Sequence, residues 1–255
     1  MKGKTALVTG SSDGLGLAIG ARLAAAGCQV VLHGLAAADT MGHTCDELMS
    51  KHGVNVRYVY ADLSDIDQIE HLFAEAGPVD VLVNNAVVRY FSPIEDFPLA
   101  HWNQALAVNL TAALRAIQSV LPGMRARQWG RIVNLSSAYG ARGIANRVDY
   151  VTTKTALLGM TRAVAVETQG QGITCNAVSP GSVLTPNIEG RLRALMADKQ
   201  LDRDTATRMF LQGKQATGRF VDASHVADLI VYLCSESAGS ITGATLPVDD
   251  GWMAG

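Results

Sequence analysis

Tyr150 and Lys154 stand four residues apart in Tyr-Val-Thr-Thr-Lys. On a helix that spacing puts both side chains on one face. The pair has a chemical use, because a base must take the hydroxyl proton of a secondary alcohol as its hydride leaves. A free phenol, titrating at about pH 10, serves poorly at neutral pH. A neighbouring ammonium favours the phenolate and makes the phenol a usable base. Ser137 lies thirteen residues before Tyr150, beyond an apolar run, where its hydroxyl can hydrogen-bond a substrate oxygen as charge develops on it. A second constellation opens the chain. Gly10, Gly14 and Gly16 occur in Thr-Gly-Ser-Ser-Asp-Gly-Leu-Gly, between an apolar run and a helix-forming one. Glycines placed so allow a tight turn and close backbone approach to a pyrophosphate, with helix N-terminal amides behind it. Either pattern alone recurs by chance, so the elements around them must decide.

Thr5–Thr9, Gln29–His33, Val54–Tyr60, Val79–Val83, Arg131–Leu135, Ile173–Ala177 and Thr245–Val248 read as short buried strands. Leu15–Ala26, Asp65–Ala76, Pro98–Met124, Tyr150–Thr168 and Ser224–Cys234 read as helices. About seven alternating strands with β-branched cores imply a parallel sheet with helices on both faces, a doubly wound Rossmann-type α/β fold. The segment from about 186 to 220 breaks the alternation: it is charged, helix-forming and without a strand signal. It follows a strand at the carboxyl edge, which makes it a small helical lid over the site or, alternatively, a solvated surface hairpin of helices.

The composition suits a small-molecule partner. With 255 residues, 48% hydrophobic and 17% charged, the chain supports one core and reads as a single domain spanning 1–255. A net charge of -2 and a pI near 6.3 offer no global attraction to nucleic acid or to an anionic membrane. No signal-peptide pattern precedes the first strand and no run reads as a membrane span, so the cytoplasm is the expected compartment. Cys28, Cys45, Cys175 and Cys234 lack metal-like spacing and are expected as buried free thiols.

Taken in order, Thr-Gly-x-x-x-Gly-x-Gly, Asn84-Asn85-Ala86, Asn109, Ser136-Ser137, Tyr150-x-x-x-Lys154 and Pro180-Gly181 resemble the motifs of the short-chain dehydrogenase/reductase family over essentially the whole chain. The resemblance implies a nicotinamide-dependent alcohol dehydrogenase or ketone reductase with Asn109, Ser137, Tyr150 and Lys154 as its catalytic set, Asn109 holding a water that links Lys154 to solvent. It implies cofactor contacts from Gly10, Ser12, Asp13, Gly14, Leu15, Gly16, Gly34, Leu35, Asp62, Leu63, Asn85, Ala86, Tyr150, Lys154, Pro180, Gly181, Val183 and Thr185, and a homotetramer. Asp62 alone reads equally as an N-cap of the next helix. The second strand ends in His33-Gly34-Leu35, with neither the carboxylate that usually takes the ribose hydroxyls nor an arginine for a 2′-phosphate. Asp13 would repel that phosphate, so NAD is expected over NADP. Val87 replaces the glycine usual after Asn-Asn-Ala, and a shifted loop with retained activity is expected there.

Within that family the likeness is to bacterial D-3-hydroxybutyrate dehydrogenases. It is carried by Lys2 to Gly10, by Ile94-Glu95-Asp96-Phe97-Pro98 with Trp102, by Gly170 to Thr174 and by Val248-Asp249-Asp250-Gly251-Trp252. Those enzymes hold the substrate carboxylate at four places that here carry Arg89, Tyr139, Arg147 and Arg191, beside Ser137 and Tyr150. One lysine there has become three arginines, each a planar, permanently charged fork for an anion. The substrate is then a small anionic hydroxy or oxo acid, more anionic than hydroxybutyrate unless local acids such as Asp149 neutralise the arginines or one of them faces solvent. An NADPH-dependent 3-oxoacyl reductase and a non-catalytic NAD-binding regulator are the competing readings.

Overall fold

The computed structural model describes residues 1–254. Seven strands, β1 (Thr5–Val8), β2 (Gln29–Gly34), β3 (Val56–Tyr60), β4 (Val81–Asn84), β5 (Gly130–Leu135), β6 (Ile173–Pro180) and β7 (Thr245–Val248), form one sheet. Its order is β3-β2-β1-β4-β5-β6-β7 and every pair is parallel. The helices are α1 (Gly14–Ala25), α2 (Ala38–His52), α3 (Ile66–Ala76), α4 (Leu99–Leu106), α5 (Ala112–Arg127), α6 (Val148–Glu167), α7 (Pro186–Lys199), α8 (Arg203–Leu211) and α9 (Ala223–Cys234).

Strand side chains alternate between two cores, as the period of two requires. Ala6, Val8, Val30, Leu32, Val81 and Val83 face α1, α2 and α9, meeting Ile19, Leu23, Met41, Leu48 and Ile230. Leu7, Val31, Leu82 and Ile132 face α3, α5 and α6, meeting Leu72, Ile117, Met124 and Ala165. The chain leaves β1 toward β2 and β3, then crosses back to β4 on the other side. That reversal opens a crevice at the carboxyl ends of β1 and β4, where an open α/β sheet takes its ligand.

Three elements differ from the sequence expectation. α2 carries so few apolar residues, with only Met41, Cys45 and Leu48 buried, that its periodicity is faint. The expected single helix from Pro98 forms as one run but widens into a π-helical turn, Ala107–Thr111, between α4 and α5. β6 runs on to Pro180, which delivers Pro180-Gly181 to the ligand edge. The expectation that no run reads as a membrane span also needs correction. Leu99–Arg127 forms a 29-residue helical run with mean hydropathy 1.2 in its most apolar window, enough to span by length and composition. Here Ile117, Val120 and Met124 bury that run against the sheet. The segment from 186 to 220 does form helices, α7 and α8, at the carboxyl edge.

Candidate active site

The glycine loop and the Asn-Asn-Ala loop are locked together at the crevice. Thr9 Oγ1 accepts the amides of Asn85 and Ala86 at 3.0 and 3.1 Å, while Asn85 Nδ2 donates to the carbonyls of Thr9 and Gly10 at 2.9 and 2.8 Å. Gly10 is left-handed (φ 64°), and a Cβ on it would stand 2.7 Å from Ala86 Cα. A Cβ on Gly16 would collide with the Gly10 carbonyl and sit 2.6 Å from Asn85 Nδ2. Asp13 precedes α1 without a side-chain capping bond, so the first helical amides, from Gly14 and Leu15 onward, keep their donors. This cradle, closed to any side chain and ringed by donors, fits a pyrophosphate. Val87 is not among the residues of positive φ, so its β-branched side chain causes no backbone strain in the loop.

Sequence reasoning gave His33 no role, yet it ties the crevice together. Its Nδ1 accepts the Gly10 amide at 3.1 Å and its Nε2 donates to the Ala61 carbonyl at 3.0 Å, joining the ends of three strands. Burial lowers its pKa to about 4, so it is neutral, as the acceptor role of Nδ1 requires. Beside it, a Cβ on Gly34 would collide with Ser12 Oγ, and Leu35 is exposed. Asp62 binds the amide and hydroxyl of Ser64 at 2.9 and 2.8 Å, next to buried Leu63. The N-cap of α3 is Asp65, not Asp62. At the end of β6, the Gly181 amide donates to Val248, buried Val183 bridges Val221, and Thr185 caps α7 by accepting from Ile188. Thr185 also lies 3.4 Å from the Cβ position of Gly14, which brings the lid to the cradle.

Ser137, Tyr150 and Lys154 converge at the carboxyl end of β5. Ser137 is buried and its Oγ accepts the Tyr139 amide at 3.2 Å, leaving its own proton to donate elsewhere. Lys154 Nζ lies 5.8 Å from the Tyr150 ring centroid and donates to the Leu135 carbonyl at 2.6 Å. Burial and the nearby Arg89 lower its pKa to about 7. Asn109 sits in the π-helical turn, buried, with its carboxamide spent on both backbone groups of Val88 (2.8 and 3.0 Å) and on Thr153 Oγ1 (3.3 Å). It thereby fixes the loop beyond Val87. It touches α6 through Thr153, one residue before Lys154.

The arginines do come together. Arg89 lies 5.6 Å and Arg147 4.5 Å from the Tyr150 centroid; Arg147 lies 4.1 Å and Arg191 5.1 Å from that of Phe91. Arg147 is buried, and its Nε and Nη2 have no hydrogen-bond partner. Desolvation lowers its pKa, with Arg89 and Arg191 adding to the effect. Asp149 forms no ion pair with any of these arginines; its Oδ2 accepts the Tyr90 amide at 3.1 Å. Tyr139 packs edge-on against Tyr150 and Trp252, at 6.4 and 4.9 Å. Trp252 and Phe91 are thus site residues that composition gave no reason to select. Their signal lay only in tertiary packing.

A nucleotide cradle at the β1–β4 reversal, with a Ser-Tyr-Lys cluster at the end of β5, defines a nicotinamide-dependent oxidoreductase of the short-chain dehydrogenase family, to which this chain belongs. The family model for short chain dehydrogenase matches residues 4–194. The chain is 38% identical to a D-beta-hydroxybutyrate dehydrogenase of Cupriavidus necator, over 100% of this chain and 99% of that one. It is 35% identical to the enzyme of that name from Rhizobium meliloti, covering 98% and 99%. In structure it is similar to the L-sorbose reductase of Gluconobacter frateurii, solved with NADPH and L-sorbose, with TM-score 0.95 at 29% identity and coverage of 100% and 98%.

Proposed function

We propose that this oxidoreductase interconverts a secondary alcohol and a ketone on a small anionic hydroxy or oxo acid, with NAD as cofactor, as a cytoplasmic homotetramer. The observation that carries the reading is that one ring, Tyr150, is shared: Lys154 lies near it, while Arg89 and Arg147 bring anion-binding charge to it. The proton-transfer group and the anion-holding group are therefore neighbours. The likeness to hydroxybutyrate dehydrogenases supports the same substrate class.

The nicotinamide ring, when bound, supplies or receives the hydride. The chain's own residues do the rest. Gly10 to Gly16, Asn85 and Ala86 hold the phosphates and ribose; Asp62 and Leu63 border the adenine end; Gly181, Val183 and Thr185 border the nicotinamide end. Ser137 donates its free proton to the substrate oxygen. Tyr150 takes or gives the proton on that oxygen, and the cations around its ring stabilise negative charge as it develops there. Lys154 holds the ribose hydroxyls, and Asn109 keeps the neighbouring loop and Thr153 in register.

The NAD preference rests on charge and space. Asp13 is exposed at the loop, Ser12 closes position 34 to any side chain, and Leu35 brings no cation, so nothing here balances a 2′-phosphate. An NADPH-dependent 3-oxoacyl reductase would call for basic groups at those positions. Fluorescence titration should give NADH at least tenfold tighter binding than NADPH, a difference of about 1.4 kcal/mol; equal affinities would refute the preference. Screening hydroxy acids with NAD and NADP tests the activity itself. A chain that turns over no alcohol is a non-catalytic nucleotide binder. A monomeric mass in solution would remove the tetramer.

A further inference from the structure

The three arginines belong to a longer arrangement. Arg89, Tyr150, Arg147, Phe91, Arg191, Phe210 and Lys214 alternate cation and ring from the catalytic tyrosine to the lid. Arg191 stands 5.3 Å and Lys214 4.2 Å from the Phe210 centroid, continuing the contacts at Tyr150 and Phe91. Cation–π contact stabilises each charge without cancelling it. Among the described residues, no carboxylate lies within ion-pair distance of Arg89, Arg147, Arg191 or Lys214. Like charges so gathered repel, and burial or neighbouring arginines lower the pKa of both Arg147 and Lys214.

The lid itself supplies a contrast. Glu189 on α7 is taken by Arg193 at 2.9 Å and by Arg203 at 2.8 Å. Arg191, between Glu189 and Arg193 in sequence, takes no acid and reaches over Phe91 and Phe210 instead. Two arginines of the lid are thus neutralised, while the one over the Phe91 and Phe210 rings is left without an acid. At the other end, Arg147 is buried with Nε and Nη2 unpartnered. Two donors of one guanidinium match the two oxygens of a carboxylate, and leaving them unbonded is costly. Among the described residues, Asp149 is the acid whose charge acts on Arg147; its Oδ2 accepts the Tyr90 amide and its Oδ1 has no hydrogen-bond partner. A monoanion would leave most of the cations unbalanced.

We propose that this file of cations and rings is a two-acid subsite, so that the substrate is a dianion: a hydroxy or oxo acid whose carboxylate is held by Arg147 and whose second acid group, a carboxylate, sulfonate or phosphate, is drawn under the lid by Arg191 and Lys214. The assignment rests on the oxidoreductase reading above. Arg89, at the Tyr150 end, faces the reacting carbon, and the Phe91 and Phe210 rings flank the short chain between the acid groups. Contact of the second acid group with Arg191 couples substrate binding to lid closure and to exclusion of water from the hydride-transfer site.

The test is calorimetric titration of the full chain, saturated with NADH, using acids that lack a reacting carbonyl. Acetate and butyrate are compared with succinate, sulfoacetate and phosphoglycolate. At least one diacid should bind tenfold or more tightly than the best monoacid, and more salt should erode that advantage. Arg191→Gln with Lys214→Gln should weaken the diacids far more than the monoacids and bring the ratio close to one. Arg147→Gln should weaken both classes, and Arg147→Lys should restore part of the loss if the charge matters. Equal binding of monoacids and diacids, or a ratio untouched by the lid double variant, overturns the proposal. Turnover then separates the two readings. If 3-hydroxybutyrate is oxidised as efficiently as every hydroxy diacid, the dianion assignment falls and the oxidoreductase reading stands. If diacids bind tightly and no hydroxy acid turns over, the subsite is supported and the oxidoreductase reading falls.

Discussion

Ser137 accepts the Tyr139 amide, which leaves the proton of its hydroxyl free for the substrate oxygen in the proposed mechanism. That division gives the two hydroxyls different duties, and removing one should not mimic removing the other. Tyr150→Phe should lower kcat by roughly 10²–10⁴, the usual worth of a positioned general acid–base, while still binding cofactor in a fluorescence titration. Lys154→Ala should lose both turnover and cofactor affinity. Near-normal turnover in Tyr150→Phe would remove the phenol from the mechanism. Glycines offer a second comparison at this scale. Gly16 has no room for a Cβ beside the Gly10 carbonyl, whereas Gly159, in α6, has nothing within 4 Å. Gly16→Ala should therefore abolish measurable cofactor binding by displacing the cradle. Gly159→Ala should stabilise the fold by about 0.5–1 kcal/mol in denaturant titrations. If the two substitutions behave alike, the cradle is not limited by that close approach.

At the scale of elements, one buried side chain ties the lid's return to the end of the sheet at three points. Gln215 is buried; its Nε2 donates to the carbonyls of Ser182 and Arg219 at 3.0 Å each, and its Oε1 accepts the Ser182 amide at 3.3 Å. It pins the lid's return to the segment that leaves β6. Gln215→Leu orphans the Ser182 amide and the Arg219 carbonyl, at a cost of about 1–3 kcal/mol, while the Ser182 carbonyl keeps the Val221 amide, and should loosen the hairpin before it affects the sheet. Limited proteolysis should then cut between residues 186 and 220 in the variant first, and KM should rise more than kcat falls. Uniform cleavage across the fold would mean that Gln215 serves the whole core. The lid's helical nature was legible from its charged, helix-forming composition, and the strands from their apolar runs. α2 was not, because Met41, Cys45 and Leu48 are a thin apolar stripe. The π-helical turn at Asn109 was hidden as well, since a single wider turn leaves the apolar pattern around it nearly unchanged. Gln215 and His33 were illegible for a simpler reason: apart from Arg219 their partners are distant in the chain, and no local pattern encodes a tertiary hydrogen bond.

For the molecule as a whole, buried titratable groups set how stability depends on pH. His33 falls from 6.5 to about 4 on folding, so the unfolded chain binds a proton there that the folded one refuses; stability present above pH 6.5 is lost as pH falls toward 4. Lys154 falls from 10.5 to about 7, so its contribution grows as pH rises from 7 to 10.5. The thiols act in the opposite sense. Burial raises Cys28 from 9.0 to about 11, and Cys175 and Cys234 to about 12. Above pH 9 the unfolded chain ionises these three and the folded chain does not, which costs stability as pH rises further. Each such proton tilts the stability curve by about 1.4 kcal/mol per pH unit. Three thiols oppose one lysine above pH 9, so the thiols prevail there, while below pH 9 only the rising contributions operate. Urea unfolding of the cofactor-free chain at about pH 5, 7, 9 and 10.5 should therefore place the stability maximum near pH 9. His33→Gln should flatten the limb between pH 4 and 6.5, and Cys175→Ala should reduce the fall above pH 9, because each removes one of the protons responsible. A maximum at or below neutrality would show that Lys154 keeps its proton in the fold, and with it the expected shift of that buried ammonium would be lost.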